Sequence, residues 1–495
     1  MNDLLSIYKP NDPYELLISQ IVRLESKPKQ ELEIRRNAQE KLKTILSDLD
    51  SKLSAFDSIL NAFTDPLNDP FGAKKATVSD ETFFSVSASS KAALGTHKLS
   101  VERLAQADTR LSKELSETGT TLKSIFKKKQ TFKIEVAHPT DTNPDNRVKI
   151  SVTVNPTGTN DGEILREIAD AINQAMDDAV TNGDITSDER AQATVVTTST
   201  GYVRLSLRSG QTGYTYRLDF EDSSKNLLNE LELNADQLSS DTSGGMVYDV
   251  GDSPTTSMLN SKVTVDGLTI YRDGNTLTDV FPGLTITLKK TTTAEQEFTV
   301  ETDKEAIKKE IEDFIDTYNE LQSFIRQKTL VDGEADIRAE LAGDSTFTGL
   351  RYNLRTELSR EVTGQPADAP TLLSQIGITI NRDGTLTLSD EEALFSALEE
   401  NQDAVASLFN GPDGYATRLA SRLDEFLGSK GIIKTRIGIV EDRMDRLDTQ
   451  IQRWEERLSK REELLREQFA RVQETLALLN GQQAALNSYF INAGF

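Results

Sequence analysis

The sequence predicts an α+β fold, with long N- and C-terminal helices paired as a coiled-coil-like leg and antiparallel β-rich head domains inserted between them. Three observations predict it. Apolar residues recur in steps of 4 and 3 near both ends, and the middle alternates apolar with polar residues between turn signals. Only 36% of the 495 residues are hydrophobic, below the about 45–50% of typical domains (an average that also counts glycine). Much of the chain is therefore wetted, as long helices and thin sheets are.

The N-terminal rhythm starts near Pro13 with Leu17, Ile21, Leu24 and Leu32. It becomes strict at Leu42, Leu46, Leu49, Leu53, Phe56, Leu60 and Phe63, where the steps are 4, 3, 4, 3, 4 and 3. That is a heptad seam. Pro28 either kinks the early part or separates two helices. Thr64-Asp65-Pro66 and Asp69-Pro70 stop the helix.

The C-terminal rhythm mirrors it. Ile437, Val440, Met444, Leu447, Ile451, Trp454 and Leu458 step by 3, 4, 3, 4, 3 and 4. Arg461 then falls on a seam position, and Leu465, Phe469, Val472, Leu476 and Leu479 resume the series after a stutter. Ala485, Leu486, Tyr489 and Phe490 continue an apolar face. Mixed charges such as Glu455, Arg457, Glu462 and Arg466 lie between, as on a solvated helix face. A seamed helix needs a partner, and two seams at opposite ends of a chain point to each other. The candidate leg seam is Leu42, Leu46, Leu49, Leu53, Phe56, Leu60, Ile437, Val440, Met444, Leu447, Ile451, Trp454, Leu458, Leu465, Phe469 and Val472. The alternative, in which each helix packs on a different globular domain, stays open.

Between the ends, strands are expected at Phe84–Ala88, Lys98–Val101, Phe132–Val136 and Val148–Val154, followed by one helix carrying Ile164, Leu165, Ile168, Ile172 and Met176. Further strands follow at Ala193–Val196, Tyr202–Leu207 and around Tyr216–Phe220. Ser239–Gly245 is polar and contains glycine, and reads as a linker. A second strand set covers Val263–Val265, Leu268–Ile270, Leu284–Leu288 and Phe298–Val300. Helical spacing returns at Ile307, Ile311, Phe314, Tyr318 and Ile325, and again over Leu341–Leu358 and Glu391–Phe409. Ile376–Ile380 and Leu386–Leu388 flank a hairpin turn at Asn381–Gly384. The expected divisions are 1–75 for the N-terminal leg helices, 76–120 with 255–302 for a first β-rich head domain, and 121–254 for a second, inserted one. A helical domain with a β-hairpin takes 303–435, and the C-terminal leg helix 436–495.

Composition excludes several functions. The formal charge is −24, which argues against sequence-independent nucleic-acid binding and against docking on anionic membranes. With no cysteine and only His97 and His138, thiolate metal sites and most histidine-based catalysis are excluded. No apolar run approaches a membrane span, and the first twenty residues do not form a Sec-type signal.

The catalytic candidates are weak. Gly251-Asp-Ser253 and Gly343-Asp-Ser345 are similar to a hydrolase nucleophile block, but no histidine follows either serine. Helix capping by Asp344 or Ser345 is the simpler reading. Asp141, Asn143 and Asp145 have the first spacings of an EF-hand, yet Asn146 stands where glycine belongs and Val152 where the bidentate glutamate belongs. Lys127-Lys-Lys129 reads as a solvated β-edge guard. Tyr202, Tyr214 and Tyr216 form the one dense aromatic group of the head. No cofactor and no enzymatic activity are expected; an assembly or binding role is.

A family resemblance emerges from motifs in a particular order. Gln20–Pro28, His97–Ala107, Val265-Asp-Gly267 through Asn275, and Val280–Leu288 are the first. Gly343–Thr346, Ile376–Thr379, Asp383–Leu386, Asn401–Val405 and Gly431–Arg436 follow. Together the order and spacing resemble the flagellar filament cap family, flagellar hook-associated protein 2.

The resemblance implies a homo-oligomeric ring at the distal end of the bacterial flagellar filament. Such a ring retains exported flagellin and promotes its insertion, without covalent chemistry. It also implies contact with flagellin, hook–filament junction proteins and a flagellar export chaperone, with no nucleic acid and no membrane insertion. The location implied is extracellular, at the flagellum tip, after secretion by the flagellar type III apparatus. Frayed ends near Ser6–Pro13 and Ala493–Phe495 would suit a staggered filament tip. An alternative is an extracellular adhesin whose β head binds host glycan or mucin.

Overall fold

A computed structural model describes residues 13–67, 69–126, 128–332 and 337–492. The chain divides into two compact units. One comprises the chain up to Phe71 together with the chain from Lys304 onward; the other is Gly72–Asp303.

The first unit begins with α1 (Pro13–Glu25) and α2 (Lys27–Thr64). They are separated at Ser26, and Pro28 lies in the first turn of α2, where a missing N–H is least costly. The break is mild. Ser26 N–H still donates to Val22 O at 2.8 Å, and Gln30 N–H to Ser26 O at 3.1 Å. Ile45, Leu46, Leu49, Leu53, Phe56, Leu60 and Phe63 form the buried stripe of α2.

Among the described residues the second unit holds two large hydrophobic cores and a small cluster of Met246, Val250 and Leu259. In one, β1 (Lys74–Val78), β2 (Phe84–Ala88) and β3 (Gly95–Arg103) combine with strands from much later in the chain. The other core starts at β4 (Ala107–Leu111), β5 (Leu115–Ser116) and α3 (Thr121–Ile125), followed by β6 (Gln130–Ala137) and β7 (Arg147–Val154). Next come α4 (Asp161–Asn182), β8 (Gln192–Ser199), β9 (Tyr202–Thr212), β10 (Asp219–Glu221), α5 (Leu227–Glu230) and β11 (Gly245–Met246). Asn160 caps α4 by accepting Glu163 N–H at 2.9 Å. Ile164, Leu165, Ile168, Ile172 and Met176 of α4 are buried in the same core as Val152, Val203 and Leu205.

Three parts of the sequence reading are corrected here. Ser239–Gly245 is not a linker. Ser239 N–H donates to Met246 O at 2.8 Å, Gly245 pairs with Leu111, and the Arg204 guanidinium donates to Ser240 O and Ser243 O, each at 2.6 Å. A polar segment that satisfies a buried arginine has the composition of a linker without being one. Tyr214–Tyr216 is a 3₁₀ turn, tied down by Thr215 Oγ1 donating to Asp273 Oδ2 at 2.6 Å; only Asp219–Glu221 beyond it is strand. The lysine run precedes β6, which is central between β10 and β7, so it guards no edge. Lys128 and Lys129 are exposed; Lys127 lies outside the described residues.

The chain returns to the first core through β12 (Ser261–Val265), β13 (Leu268–Arg272), β14 (Thr276–Leu277), β15 (Leu284–Leu288) and β16 (Gln296–Thr302). The antiparallel orders are β1-β16-β3-β12-β13 and β14-β15-β2. Their shared core includes Phe84, Leu99, Val101, Val263, Ile286 and Phe298. Asp266 and Gly267, with φ of 47° and 83°, make the two-residue turn between β12 and β13.

Back in the first unit, α6 (Lys304–Thr329) is followed by β17 (Val331–Asp332), β18 (Ile337–Arg338) and α7 (Ser345–Ser359). The hairpin of β19 (Ile378–Ile380) and β20 (Leu386–Leu388) leads to α8 (Glu391–Asn410), α9 (Tyr415–Leu423) and α10 (Ile432–Asn492). Here α7 starts at Ser345 rather than Leu341, because Asp344 caps it by accepting Thr346 N–H at 3.0 Å. Within α8, Asn401 is non-helical (φ −160°, ψ 86°), and its side chain accepts Ala404 N–H at 3.0 Å, so one helix is restarted midway. Before β19, Gly377 has φ 79°, and a Cβ there would sit 1.9 Å from Asp390 O. Only glycine fits.

Between α7 and α9, Asp413 accepts Thr363 N–H at 3.0 Å and Thr363 Oγ1 at 2.8 Å, beside Arg418 and Arg360. The Thr363 hydrogen bonds, with help from the arginines, pull its carboxyl down to about 2. A depressed carboxylate stabilises the fold above its unfolded value of about 4 and stops doing so as pH falls through the folded one. Asp413→Asn is therefore expected to be less stable than the parent at pH 7 in urea unfolding. The gap should narrow at pH 3; a gap independent of pH would contradict this account.

Candidate functional site

The distinctive feature of the first unit is the pairing of α2 with α10. Four ion pairs bridge them: Lys29 Nζ–Glu455 Oε1 at 2.8 Å, Arg36 Nε–Asp448 Oδ1 at 3.3 Å, Lys43 Nζ–Glu441 Oε1 at 2.8 Å, and Asp50 Oδ2–Lys434 Nζ at 2.7 Å. Each rung advances seven residues on α2 and retreats seven on α10. The helices are therefore antiparallel and locked in one heptad register. The register carries across the break into α1, where Glu25 meets Arg461 at 3.2 Å, Glu15 meets Arg466 at 3.4 Å, and the Tyr14 and Phe469 rings lie 5.4 Å apart. The hydrogen bond to Glu455 raises the Lys29 ammonium above its ordinary value.

These rungs are largely solvated, so each is worth about 0.2–1 kcal/mol. They select the register rather than supply the adhesion. Adhesion comes from the seam. Leu46, Leu49, Val440, Leu458 and Leu465 are buried, whereas Leu42, Ile437, Met444, Leu447, Ile451, Trp454 and Phe469 are half-buried. The guanidinium of Arg457 lies over the Trp454 ring at 4.6 Å.

Three expected seam residues are placed elsewhere. The ladder sets Ile432, the start of α10, opposite Lys52. Phe56 and Leu60 thus lie beyond the reach of α10, and Phe56 packs instead on Phe314 at 5.6 Å and Tyr318 at 5.7 Å. Leu53, fully buried, sits at the changeover. At the other end, Val472 lies past the described start of α1 and is 45% exposed. Leu476, Leu479 and Leu486 are exposed too. The side chains of Tyr489 and Phe490, and the ends Ser6–Asp12 and Ala493–Phe495, lie outside the described residues.

Where the leg meets the helical body, two motifs from different parts of the chain join. Arg436 pairs with the Asp344 carboxylate, donates to Thr346 Oγ1 at 2.8 Å and lies over the Phe347 ring at 4.7 Å. Burial alone would raise the Asp344 carboxyl, but Arg436 and Thr346 outweigh it and hold the group below its ordinary value. The cap of α7 is thereby fixed to the first turn of α10.

The other candidates resolve into local structure. Ser345 is the first residue of α7 behind its cap, and Ser253 Oγ lies 3.0 Å from Thr256 Oγ1 in a turn. His97 Nδ1 pairs with Asp266 Oδ2 and His138 Nδ1 with Glu189 Oε2, each at 2.8 Å. In the Asp141–Asp145 turn, Asn143 Oδ1 accepts Asp145 N–H at 3.2 Å. Among the described residues no group of three or more acidic or histidine side chains is arranged to hold a metal ion, and no helix is long and apolar enough to cross a membrane. The tyrosine group divides. Arg217 stacks on Tyr214 at 4.2 Å, whereas Tyr202 opens the eleven-residue strand that ends just before them, roughly 30 Å away along it.

Apolar periodicity does not reveal the ladder, but the charges do: Lys29, Arg36, Lys43 and Asp50 recur every seven residues, as do Lys434, Glu441, Asp448 and Glu455.

Leu49→Asp would bury an unpaired charge at a fully enclosed position, at a cost of several kcal/mol. Its melting temperature and helical circular dichroism should both fall; unchanged values would remove the seam assignment. Lys43→Glu and Glu441→Lys should each lower stability slightly, with the double variant recovering about 0.2–1 kcal/mol in a double-mutant cycle. Additive losses would mean that this rung does not set the register.

Residues 13–108 match the flagellar hook-associated protein 2 N-terminus, and 259–481 its C-terminus. The unmatched interval, 109–258, holds all the buried residues of the second core of the Gly72–Asp303 unit. The chain is 27% identical over 448 residues to the B-type flagellar hook-associated protein 2 of Pseudomonas aeruginosa, covering 87% of this chain and 86% of that protein. It is 31% identical over 395 residues to flagellar hook-associated protein 2 of Xenorhabdus nematophila, covering 72% and 73%. The crystal structure of the flagellar cap protein FliD D1-D2-D3 domains from Escherichia coli superposes with a TM-score of 0.59 at 25% identity, covering 80% of this chain and 99% of that one. The chain belongs to the flagellar hook-associated protein 2 family.

Proposed function

We propose that this protein caps the distal end of a bacterial flagellar filament. It acts there as a homo-oligomeric ring that retains exported flagellin and promotes its insertion into the growing filament. The observation that carries the reading, beside the family, is the two-helix leg. Its register is set by solvated ion pairs, and past the described start of α1 it leaves Val472, Leu476, Leu479 and Leu486 exposed on α10. An apolar stripe in steps of 4, 3 and 7 suits an amphipathic helix laid alongside it. Flagellin's terminal helices are the natural partner in this reading. Rungs of small individual energy let such partners exchange, as each new subunit requires.

In this proposal no bond is made or broken, and the protein supplies surfaces alone. Export through the flagellar type III apparatus, with an export chaperone, and contact with hook–filament junction proteins belong to the same reading. A cysteine-free chain suits passage through a narrow channel unfolded. The adhesin alternative needs converging aromatic side chains on the head; the separation of Tyr202 from Tyr214 and Tyr216 gives it no support.

The test is deletion of the gene in its own host. Bald cells that shed flagellin monomer into the medium, and regain filaments when the purified protein is added, are the expected result. Normal filaments on the deletion strain would reject the proposal.

A further inference from the structure

The leg has two flanks, and only one carries the ladder. On that flank the cations are neutralised: Lys29 faces Glu455 and Glu33, Arg36 faces Asp448 and Glu40, and Lys43 faces Glu441. The other flank is an open groove. Three hollows follow one another along it, the first lined by Leu42 and Ile439, the second by Arg35 and Arg446, the third by Leu24 and Leu464. None of the four rungs lines any of them. From 439 to 464 the groove runs about 38 Å along α10.

Its walls differ from the ladder flank in two ways. They hold apolar side chains in water: Leu24, Ile439 and Leu464 are 63%, 46% and 41% exposed. They also carry charge of one sign. Arg443, Arg446, Arg453, Arg457 and Lys460 share one face of α10, at steps of 3, 7, 4 and 3, and no carboxylate stands on that face between Ile439 and Leu464. Among the described residues no carboxylate oxygen lies within 4.0 Å of these cations, unlike those of the ladder. Like charges three or four residues apart destabilise a helix slightly. In a chain of net charge −24, such a stripe is the exception. Below it the seam of α2 turns polar, since Arg35 and Gln39 take the steps between Leu32 and Leu42, and Leu447 is left half-buried in the floor.

We propose that this groove receives an amphipathic helix of a partner protein, one whose apolar stripe is bordered by carboxylates. The stripe lies on Leu24, Leu447, Ile439 and Leu464, as a helix lies in a groove. The bordering carboxylates meet the cations of α10 and remove their mutual repulsion. A nucleic acid makes no use of an apolar floor, and the net charge repels it. The ladder flank of a second copy is a poor occupant, because Glu441, Asp448 and Glu455 are already engaged. The groove is a different surface from the exposed end of α10 beyond Phe469, so the inference stands independently of the capping proposal.

Trp454, the one tryptophan of the chain, lines the third hollow, and its emission reports binding. The probe is a synthetic peptide of about 28 residues, four heptads, with Leu at positions a and d and Glu at e and g. Its counterpart carries Lys in place of Glu. Titrated into the full-length protein, the acidic peptide should bind saturably and about tenfold or more tighter than the basic one. Arg443→Glu/Arg446→Glu should weaken the acidic peptide about tenfold or more, with the melting temperature and helical circular dichroism not lowered. Lys289→Glu/Lys290→Glu makes the same change of charge at two exposed residues of the other unit, and should leave the affinity unchanged. Equal affinity for the two peptides, or equal effects of the two double variants, would overturn the proposal. So would a single-stranded oligonucleotide or a phosphatidylserine vesicle that binds at Trp454 as tightly as the acidic peptide. An oligomer of the protein that dissociates in Arg443→Glu/Arg446→Glu but is undisturbed by the acidic peptide would overturn it too, by giving the groove to a second copy.

Discussion

The buried stripe of α2, from Leu46 to Phe63, is the interaction on which the first unit depends. Its N-terminal half lies against α10 and its C-terminal half against α6, α8 and α9. The changeover occurs where α10 begins, opposite Lys52, so the stripe never faces water. Beyond it, Phe63 meets Phe314 at 5.8 Å and Phe409 at 5.4 Å, and Phe71 meets Phe409 at 5.1 Å. One helix therefore joins a narrow two-helix leg to an aromatic core. Disturbance of the stripe reaches both, since the same buried residues line leg and body.

Leg and body are built from different kinds of interaction. In the body, large rings are fully enclosed and adhesion is dense. Along the leg, only one face of each helix is covered, and much of the specificity resides in ion pairs at the rim. Rim pairs discriminate between registers because a slip of one residue breaks every rung together, while contributing little to the strength of the correct one. In the proposed capping role, that combination lets the leg stay assembled yet yield to other helices.

Several of the motifs that carry the family resemblance turn out to be contacts. Gly343–Thr346 and Gly431–Arg436 meet through Arg436, Asp344 and Thr346. His97-Lys98 and Asp266-Gly267 meet through the Asp266 carboxylate, which takes His97 Nδ1 on one oxygen and Lys98 N–H on the other, each at 2.8 Å. Asn401 restarts α8, and Gln402 donates to Phe71 O across the body. These residues position elements of the fold relative to one another.

Features that depend on near neighbours are legible in the chain alone. The heptad steps of α2 and α10, the alternation of β6, β7 and β15, the Asp266-Gly267 turn and the Asp344 cap all follow from residues within a few positions of each other. Which of several competent surfaces pair emerges only when distant segments pack. Phe56 and Leu60 satisfy the same periodicity as Leu49, but only the register of α10, set by charges some 400 residues away in the chain, removes them from the leg. Ser239–Gly245 has the composition of a linker until Arg204 is placed against it. Periodicity specifies that a face must be covered; partner choice is a competition among distant segments, settled when the whole chain packs.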